Sequence, residues 1–319
     1  MNFSPGTGNN ELKILAMRTK LNIPINMPGA YKSGQYFHLP LRPNIPNERS
    51  EYRQSGNILI ITNWGEDFKT LSQILVKRNV INRYLDWTFD DNQLFIIGSG
   101  GNLKNQESEY LWYLYYLQDK ACKVGGNVHF ILNNQDILDM SGNWRFAHPK
   151  YALKNADSKY PTTALYYGNN ELWRWLHTRN IIEKMGSFLF VPAGISSAVN
   201  DLNYTVSQIN ELVRKYYTAV SQPHRISEVE LLLDGNESLL KYTGYFDGSA
   251  TEEQVKKTLE KYRVTTIVTA YEGAVPGRYF DGKVINLGKD AVNGDPGVLF
   301  IKREHLYLLD SHGKRKKFS

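Results

Sequence analysis

Seven short apolar runs set what this chain can fold into. Ile58–Ile61, Leu94–Ile97, Val128–Leu132, Phe188–Val191, Thr266–Thr269, Lys283–Leu287 and Gly297–Ile301 are rich in β-formers, and the residues that follow them are mostly polar, small or proline. Runs of that length suit strands buried on both faces. Amphipathic segments separate the early ones. Asp67–Arg78 puts Phe68, Leu71, Ile74 and Leu75 on one face, and Glu107–Lys123 groups Leu111, Leu114, Tyr115 and Leu117. Strand alternating with helix predicts a parallel sheet covered by helices, hence an α/β fold. Ile209–Tyr217 and Thr251–Tyr262 are predicted as further helices, with Ser249 or Thr251 ahead of Glu252 and Glu253 as a start signal. Val284–Leu309 reads as strands joined by turns, Gly294-Asp295-Pro296-Gly297 being the clearest.

The flanks differ from this centre. Residues 1–55 are broken by Pro5, Pro24, Pro28, Pro40, Pro43 and Pro46, and form an irregular or β lead-in in which Tyr36-Phe37-His38-Leu39 alternates like an edge strand. Residues 56–312 form the main domain, with an insertion over 136–185 of turns and short helices. Residues 313–319 form a basic tail, whose Lys314, Arg315, Lys316 and Lys317 carry four charges of the net +6. The rest is nearly neutral, so the tail reads as solvated and nucleic acid is not expected as a partner. With 41% apolar residues among 319, the chain can bury a full core. No stretch reaches the ~18 apolar residues of a membrane span, so none is expected. The single cysteine, Cys122, can close no internal disulfide and build no cysteine-based zinc site. Met1–Gly8 lacks the basic start and apolar stretch of a secretory signal, so a cytoplasmic location is expected, a periplasmic one staying open if a leader was trimmed.

In an open α/β sheet the loops leaving the carboxyl ends of the strands carry the site. Here they read Thr62-Asn63-Trp64-Gly65, Gly98-Ser99-Gly100-Gly101-Asn102-Leu103, Asn133-Asn134-Gln135-Asp136, Pro192-Ala193-Gly194-Ile195 and Ala270-Tyr271-Glu272-Gly273. Few of these groups titrate. The carboxylates Glu66, Asp136, Asp139 and Glu272 lie near, and turn or helix-cap roles are the reading for Asp136 and Asp139. Ser99 sits in a glycine turn without the elbow motif or His/Asp partners of a nucleophile. The seven histidines show no helical ligand spacing.

From about Asn57 to His312 the chain resembles the calcineurin-like metallophosphoesterases, within them the bacterial serine/threonine-phosphatase-like branch. The resemblance is carried by Leu85-Asp86-Trp87-Thr88-Phe89, Gly125–Leu132, His148-Pro149-Lys150-Tyr151, Arg174-Trp175-Leu176 and Tyr279–Ile285, in one order. It implies a metallophosphoesterase-like β-sandwich flanked by helices. It also implies a site of two divalent metals about 3.5–4 Å apart that clamp a phosphoryl group. On the family's blocks, Thr62 and Trp64 stand where the first pair of ligands would be. Ser99, Asn102 and Leu103 replace two aspartates and a phosphate-binding arginine. Asn134 keeps the amide ligand, and Gln135 replaces the acid histidine. Pro192 and Tyr271 replace further histidines, and Thr243 a second arginine.

A lone amide cannot hold a divalent ion against water, so no metal, no cofactor and no catalytic residue are expected. Trp64 and Tyr271 are expected to plug the emptied cavity. The reading is a catalytically inactive homologue, a pseudophosphatase, acting as a protein-binding or structural component. Two alternatives stay open: an altered phosphoester hydrolase with a site rebuilt near Asn134, and a nucleic-acid adaptor working through the tail. With 21 Tyr and 6 Trp, clusters such as Tyr110–Tyr116 and Leu172–Leu176 suggest an aromatic surface for another protein. Oligomeric state is not written in these patterns.

Overall fold

The computed structural model describes residues 22–26, 36–64, 68–98, 107–141, 171–218, 227–288, 297–309 and 315–318. All seven apolar runs are strands. In chain order the strands are β1 (Asn22–Asn26), β2 (Tyr36–Pro40), β3 (Glu51–Tyr52), β4 (Ile58–Thr62), β5 (Gln93–Ile97), β6 (Asn127–Ile131) and β7 (Glu183–Met185), continuing with β8 (Phe188–Phe190), β9 (Thr266–Thr269), β10 (Gly277–Tyr279), β11 (Val284–Asn286), β12 (Gly297–Lys302), β13 (His305–Leu309) and β14 (Arg315–Lys317). The helices are α1 (Phe68–Lys77), α2 (Glu107–Cys122), α3 (Asn134–Met140), α4 (Glu171–His177), α5 (Ser197–Asp201), α6 (Val206–Arg214), α7 (Ser227–Leu233), α8 (Gly244–Asp247) and α9 (Glu252–Tyr262).

Two six-stranded mixed sheets carry the fold, ordered β14-β13-β12-β4-β5-β6 and β10-β11-β9-β8-β7-β3. β4, β5 and β6 run parallel, as do β8, β9 and β11. β1 and β2 form a separate antiparallel pair. The α/β class is thus the one expected from the strand and helix periodicities, which predict one parallel sheet where two mixed sheets form.

The period-2 alternation of each strand decides the layering. Ile58 and Ile60, Phe95 and Ile97, Phe188 and Phe190, Ile285, and Leu299 and Ile301 point between the sheets. Their neighbours Leu59, Ile61, Leu94, Ile96, Leu189, Val284 and Val298 point outward, where they join the helices in a second core. Strands buried on both faces therefore need apolar residues at every position, which is why the runs are continuous. The aromatic clusters of α2 and α4 belong to this outer core. Tyr113, Tyr115 and Trp175 are fully buried, and Phe130 stacks on Trp175 at 5.9 Å. Among the aromatic residues of these clusters only Trp112 and Trp173 are partly exposed.

Basic residues expected in a free tail form β14 instead, paired antiparallel with β13 through Tyr307↔Lys317 and Leu309↔Arg315. The edge of β13 offers unpaired backbone groups, and a strand of like charges closes that edge against other chains. No helix among the described residues is long and apolar enough to cross a membrane.

One side of the sandwich is polar inside. His129 of β6 stacks on Phe95 at 4.1 Å, and its Nδ1 lies 2.8 Å from Glu183 Oε2 and its Nε2 3.1 Å from Gln93 Oε1. Gln93 Nε2 donates to the Asp91 carbonyl, so its Oε1 is what faces the ring. Nearby Glu48 accepts from Arg179 Nη1 at 2.7 Å, from Gln118 Nε2 at 2.8 Å and from the Tyr52 hydroxyl. Burial alone would raise the Glu48 carboxyl, but Arg179, His129 and these hydrogen bonds hold it down at about 2. A depressed carboxyl stabilises the fold above its unfolded value and loses that contribution as pH falls through the folded one. Glu48→Gln is therefore expected to cost about 2–3 kcal/mol at neutral pH. Urea unfolding of both proteins should show that difference shrinking steadily between pH 5 and pH 2.

Candidate active site

Strands of both sheets finish at one end of the sandwich, and their carboxyl ends enclose a cleft of about 430 Å³. Asn63 after β4, Ile97 at the end of β5, and Asn133, Asn134 and Gln135 after β6 form the bank from the first sheet. Pro192 after β8 and Ala270, Tyr271, Glu272 and Gly273 after β9 form the bank from the second. Asn236, Lys241 and Thr243 close the rim.

Local rules explain each bank. Asn63 takes a left-handed backbone, φ 53°, which asparagine tolerates better than most residues. Its Nδ2 donates to the Leu287 carbonyl at 3.2 Å, as does the Thr62 hydroxyl, tying the end of β4 to the chain beyond β11. Asn133 caps α3: its Oδ1 accepts from the Asp136 amide at 3.0 Å, while Asp136 Oδ2 accepts from the Asn133 amide at 2.8 Å. Asp136 is thus a helix-cap residue, as its sequence position suggested. Gly98 has φ 62°, and a Cβ there would lie 2.3 Å from the Asn133 side chain, so glycine is required where the chain leaves β5.

The loop after β9 is clamped by one side chain. Asn286 is fully buried at the end of β11. Its Nδ2 donates to the carbonyls of Tyr271 at 3.0 Å and Ala274 at 3.2 Å. Its Oδ1 accepts from the Tyr271 amide and the Thr269 hydroxyl, each at 3.0 Å. An asparagine inside the run Lys283–Leu287 was the only sequence cue to this role.

The predicted positions divide into three groups. Asn134, Gln135, Pro192, Thr243 and Tyr271 meet around the cleft. Gln135 Nε2 donates to Asp139 Oδ1 at 2.8 Å, and the Thr243 hydroxyl donates to Asp247 Oδ2 at 2.6 Å. That hydroxyl and the donors of Ser249 hold the exposed Asp247 carboxyl below its usual range. Thr62 and Trp64 lie beside the cleft without lining it. Thr62 is engaged by Leu287, and Trp64 packs edge-on against Tyr110 of α2 at 4.9 Å in the helix-side core. Ser99, Asn102, Leu103 and Glu66 lie outside the described residues. The expectation of a plugged cavity is corrected: Trp64 turns into the core, Tyr271 forms a wall, and the cleft is open.

Lys241 is a lining residue that motif reading missed although it adjoins Thr243. It pairs with Asp234 at 3.0 Å on a partly exposed rim. Lys241 and Glu272 are the only charged side chains among the described lining residues. A set of amides, hydroxyls and one carboxylate does not fit two adjacent divalent cations, and no group of three or more His, Cys, Asp or Glu that could hold a metal occurs among the described residues. Cys122 ends α2 away from the cleft. Burial and then Glu48 push its thiol up, so it is no ready thiolate.

The fold has solved counterparts. A crystal structure titled as the cold-active protein-tyrosine phosphatase of a psychrophile, Shewanella sp., superposes with a TM-score of 0.80 at 23% identity, over 94% of this chain and 91% of the other. A second structure of a cold-active protein tyrosine phosphatase gives 0.81 at 24%, over 94% and 88%, and a single-substitution variant gives 0.81 at 24%, over 94% and 91%. The chain shares the fold of these phosphatases. No protein-family description matches the chain, and no curated protein sequence does.

These neighbours correct the assignment to calcineurin-like metallophosphoesterases, and with it the reading as an inactive pseudophosphatase of that family: their titles name protein-tyrosine phosphatases. The reason for the misplacement is physical. The stretches that carried the resemblance, such as Leu85–Phe89 and Gly125–Leu132, lie outside the metal-donor positions, and the chain lacks those donors, so nothing chemical anchored the placement.

Asn286→Ala is expected to destabilise the protein by about 1–3 kcal/mol, because the Tyr271 amide and the loop carbonyls lose their buried partner. Denaturant unfolding measures the loss, and the fluorescence or near-ultraviolet signal of the cleft tyrosine should change with it.

Proposed function

We propose that the chain is a phosphatase-like protein whose cleft receives a phosphomonoester. The observation that carries this reading is the lining itself, with the amides of Asn63, Asn134 and Gln135 on one bank and Lys241 on the rim. Amide N–H groups and an ammonium are donors, which suits the acceptor oxygens of a phosphoryl group. The shared fold with protein-tyrosine phosphatases supports the same reading, and the ester class in their titles makes an aryl phosphate the first substrate to try.

Hydrolysis in this cleft would use a water molecule as nucleophile. Its oxygen bonds to phosphorus as the ester P–O bond breaks, Glu272 takes the proton from the water, and the departing alcohol takes one from solvent. Lys241 offsets charge on the equatorial oxygens.

Turnover of p-nitrophenyl phosphate by the full chain, assayed with chelator and separately with magnesium or manganese, tests the proposal. Saturable hydrolysis is expected, with Lys241→Ala raising KM about tenfold and Glu272→Gln lowering kcat about 100-fold. The absence of both turnover and calorimetric binding of the ester overturns it.

A further inference from the structure

The two banks of the cleft differ in chemistry, and apart from Glu272 the second has no role in the reading above. Where the first sheet contributes amides, the second contributes Tyr271, Pro192 and Ala270. The Tyr271 ring lies parallel to Phe246 of α8, with 5.5 Å between centroids and 3° between planes. Phe246 is braced edge-on by Tyr279 at 5.1 Å and by Tyr245 at 6.2 Å. Tyr245 is itself fully buried and donates its hydroxyl to the Ile195 carbonyl at 3.0 Å. An aromatic ring at the mouth of a polar cleft is thus backed by a packed aromatic layer, not by solvent.

Two further features fix its position. Asn286 holds the Tyr271 backbone at both its amide and its carbonyl. At Gly273 an added Cβ would lie 2.6–2.7 Å from Tyr271 Cε1, Cζ and the hydroxyl oxygen, so the ring occupies the space that a side chain at 273 would need. Backing and clearance together hold the ring in one pose, and a ring so held discriminates by shape instead of adapting to each ligand.

We propose that Tyr271, backed by Phe246, is the specificity-determining residue of the cleft and selects esters whose alcohol is a planar aromatic ring. The phosphoryl group meets the amide bank, and the aryl group packs on the bank of Tyr271 and Pro192. The inference rests on the phosphomonoester reading. Aromatic pairs contribute beyond simple burial, and the expected preference for aryl over alkyl ester is about three- to tenfold.

Calorimetric titration of the full chain with phenyl phosphate and with ethyl phosphate tests it. The wild type should favour phenyl phosphate by that factor. Tyr271→Leu, which keeps apolar bulk but no ring, should bring the ratio near one. Tyr271→Phe should keep the preference, and Gly273→Ala, which displaces the ring without removing it, should lower it. Equal binding of both esters by the wild type, or an unchanged ratio in Tyr271→Leu, overturns the selection by Tyr271 and leaves the phosphomonoester reading intact. Binding of neither ester overturns both.

Discussion

Face-to-face packing of the two sheets is the contact on which the rest of the molecule depends. Phe95 of one sheet stacks on Phe190 of the other at 4.1 Å, within a layer that also holds Ile58, Ile60, Val268, Ile285 and Leu299, all fully buried. Each large apolar side chain taken out of water contributes about 1.5–3 kcal/mol, so the layer is a major part of the stability. Its consequence for function is geometric. It brings the carboxyl ends of β4 and β6 beside those of β8 and β9, and the cleft exists only because strand ends of both sheets arrive together. Thr62 and Asn63, bound to the Leu287 carbonyl, then lock that meeting at its rim.

The same layer changes character at the β6–β7 side, where Glu183, His129, Arg179 and Glu48 replace apolar residues. Buried ion pairs are weak contributors to net stability and strict about geometry. Here the network joins separate stretches of chain: Glu48 to Tyr52, Gln93 of β5, Gln118 of α2, His129 of β6, the turn after α4, Glu183 of β7, and α6. Arg214 of α6 donates to the Glu48 carbonyl at 3.0 Å, and Asn210 to the Ser50 hydroxyl at 2.9 Å. An apolar patch there would tolerate slippage of the two-residue β3 along β7, whereas a network of fixed donors and acceptors admits one register. Specifying the register of a very short edge strand is a role that such a polar cluster can fill and hydrocarbon cannot.

Much of the architecture was legible in the residues. Continuous apolar runs such as Ile58–Ile61 announce strands buried on both faces, and Thr251 ahead of Glu252 and Glu253 announces α9, where Thr251 Oγ1 accepts from the Gln254 amide. These signals are local, and local physics decides them. The buried network was not legible, because Glu48, Arg179 and His129 are far apart in sequence and none of them names its partners. Lys241 escaped for the same reason: it shares the cleft with Asn63 and Tyr271, which are far from it in the chain. The tail misled because a run of charges looks solvated, although the edge of β13 gives it a hydrogen-bonding partner that composition does not show.

The fate of the motif comparison is a matter of which groups a fold can do without. Strand ends at the cleft need side chains that satisfy backbone groups, and Thr62, Asn63, Asn133 and Asn286 do so with hydroxyls and amides. Those same side chains leave the cleft without a dense array of carboxylates and imidazoles. An amide is neutral at every accessible pH and both donates and accepts, so five of them around an opening form a polar surface that sets no electrostatic trap for a divalent cation. Asn and Gln at the strand ends therefore line the cleft and leave it unfilled. Asn134 and Gln135 belong to that bank by their position after β6, and the fold holds them there whether or not any charge stands beside them.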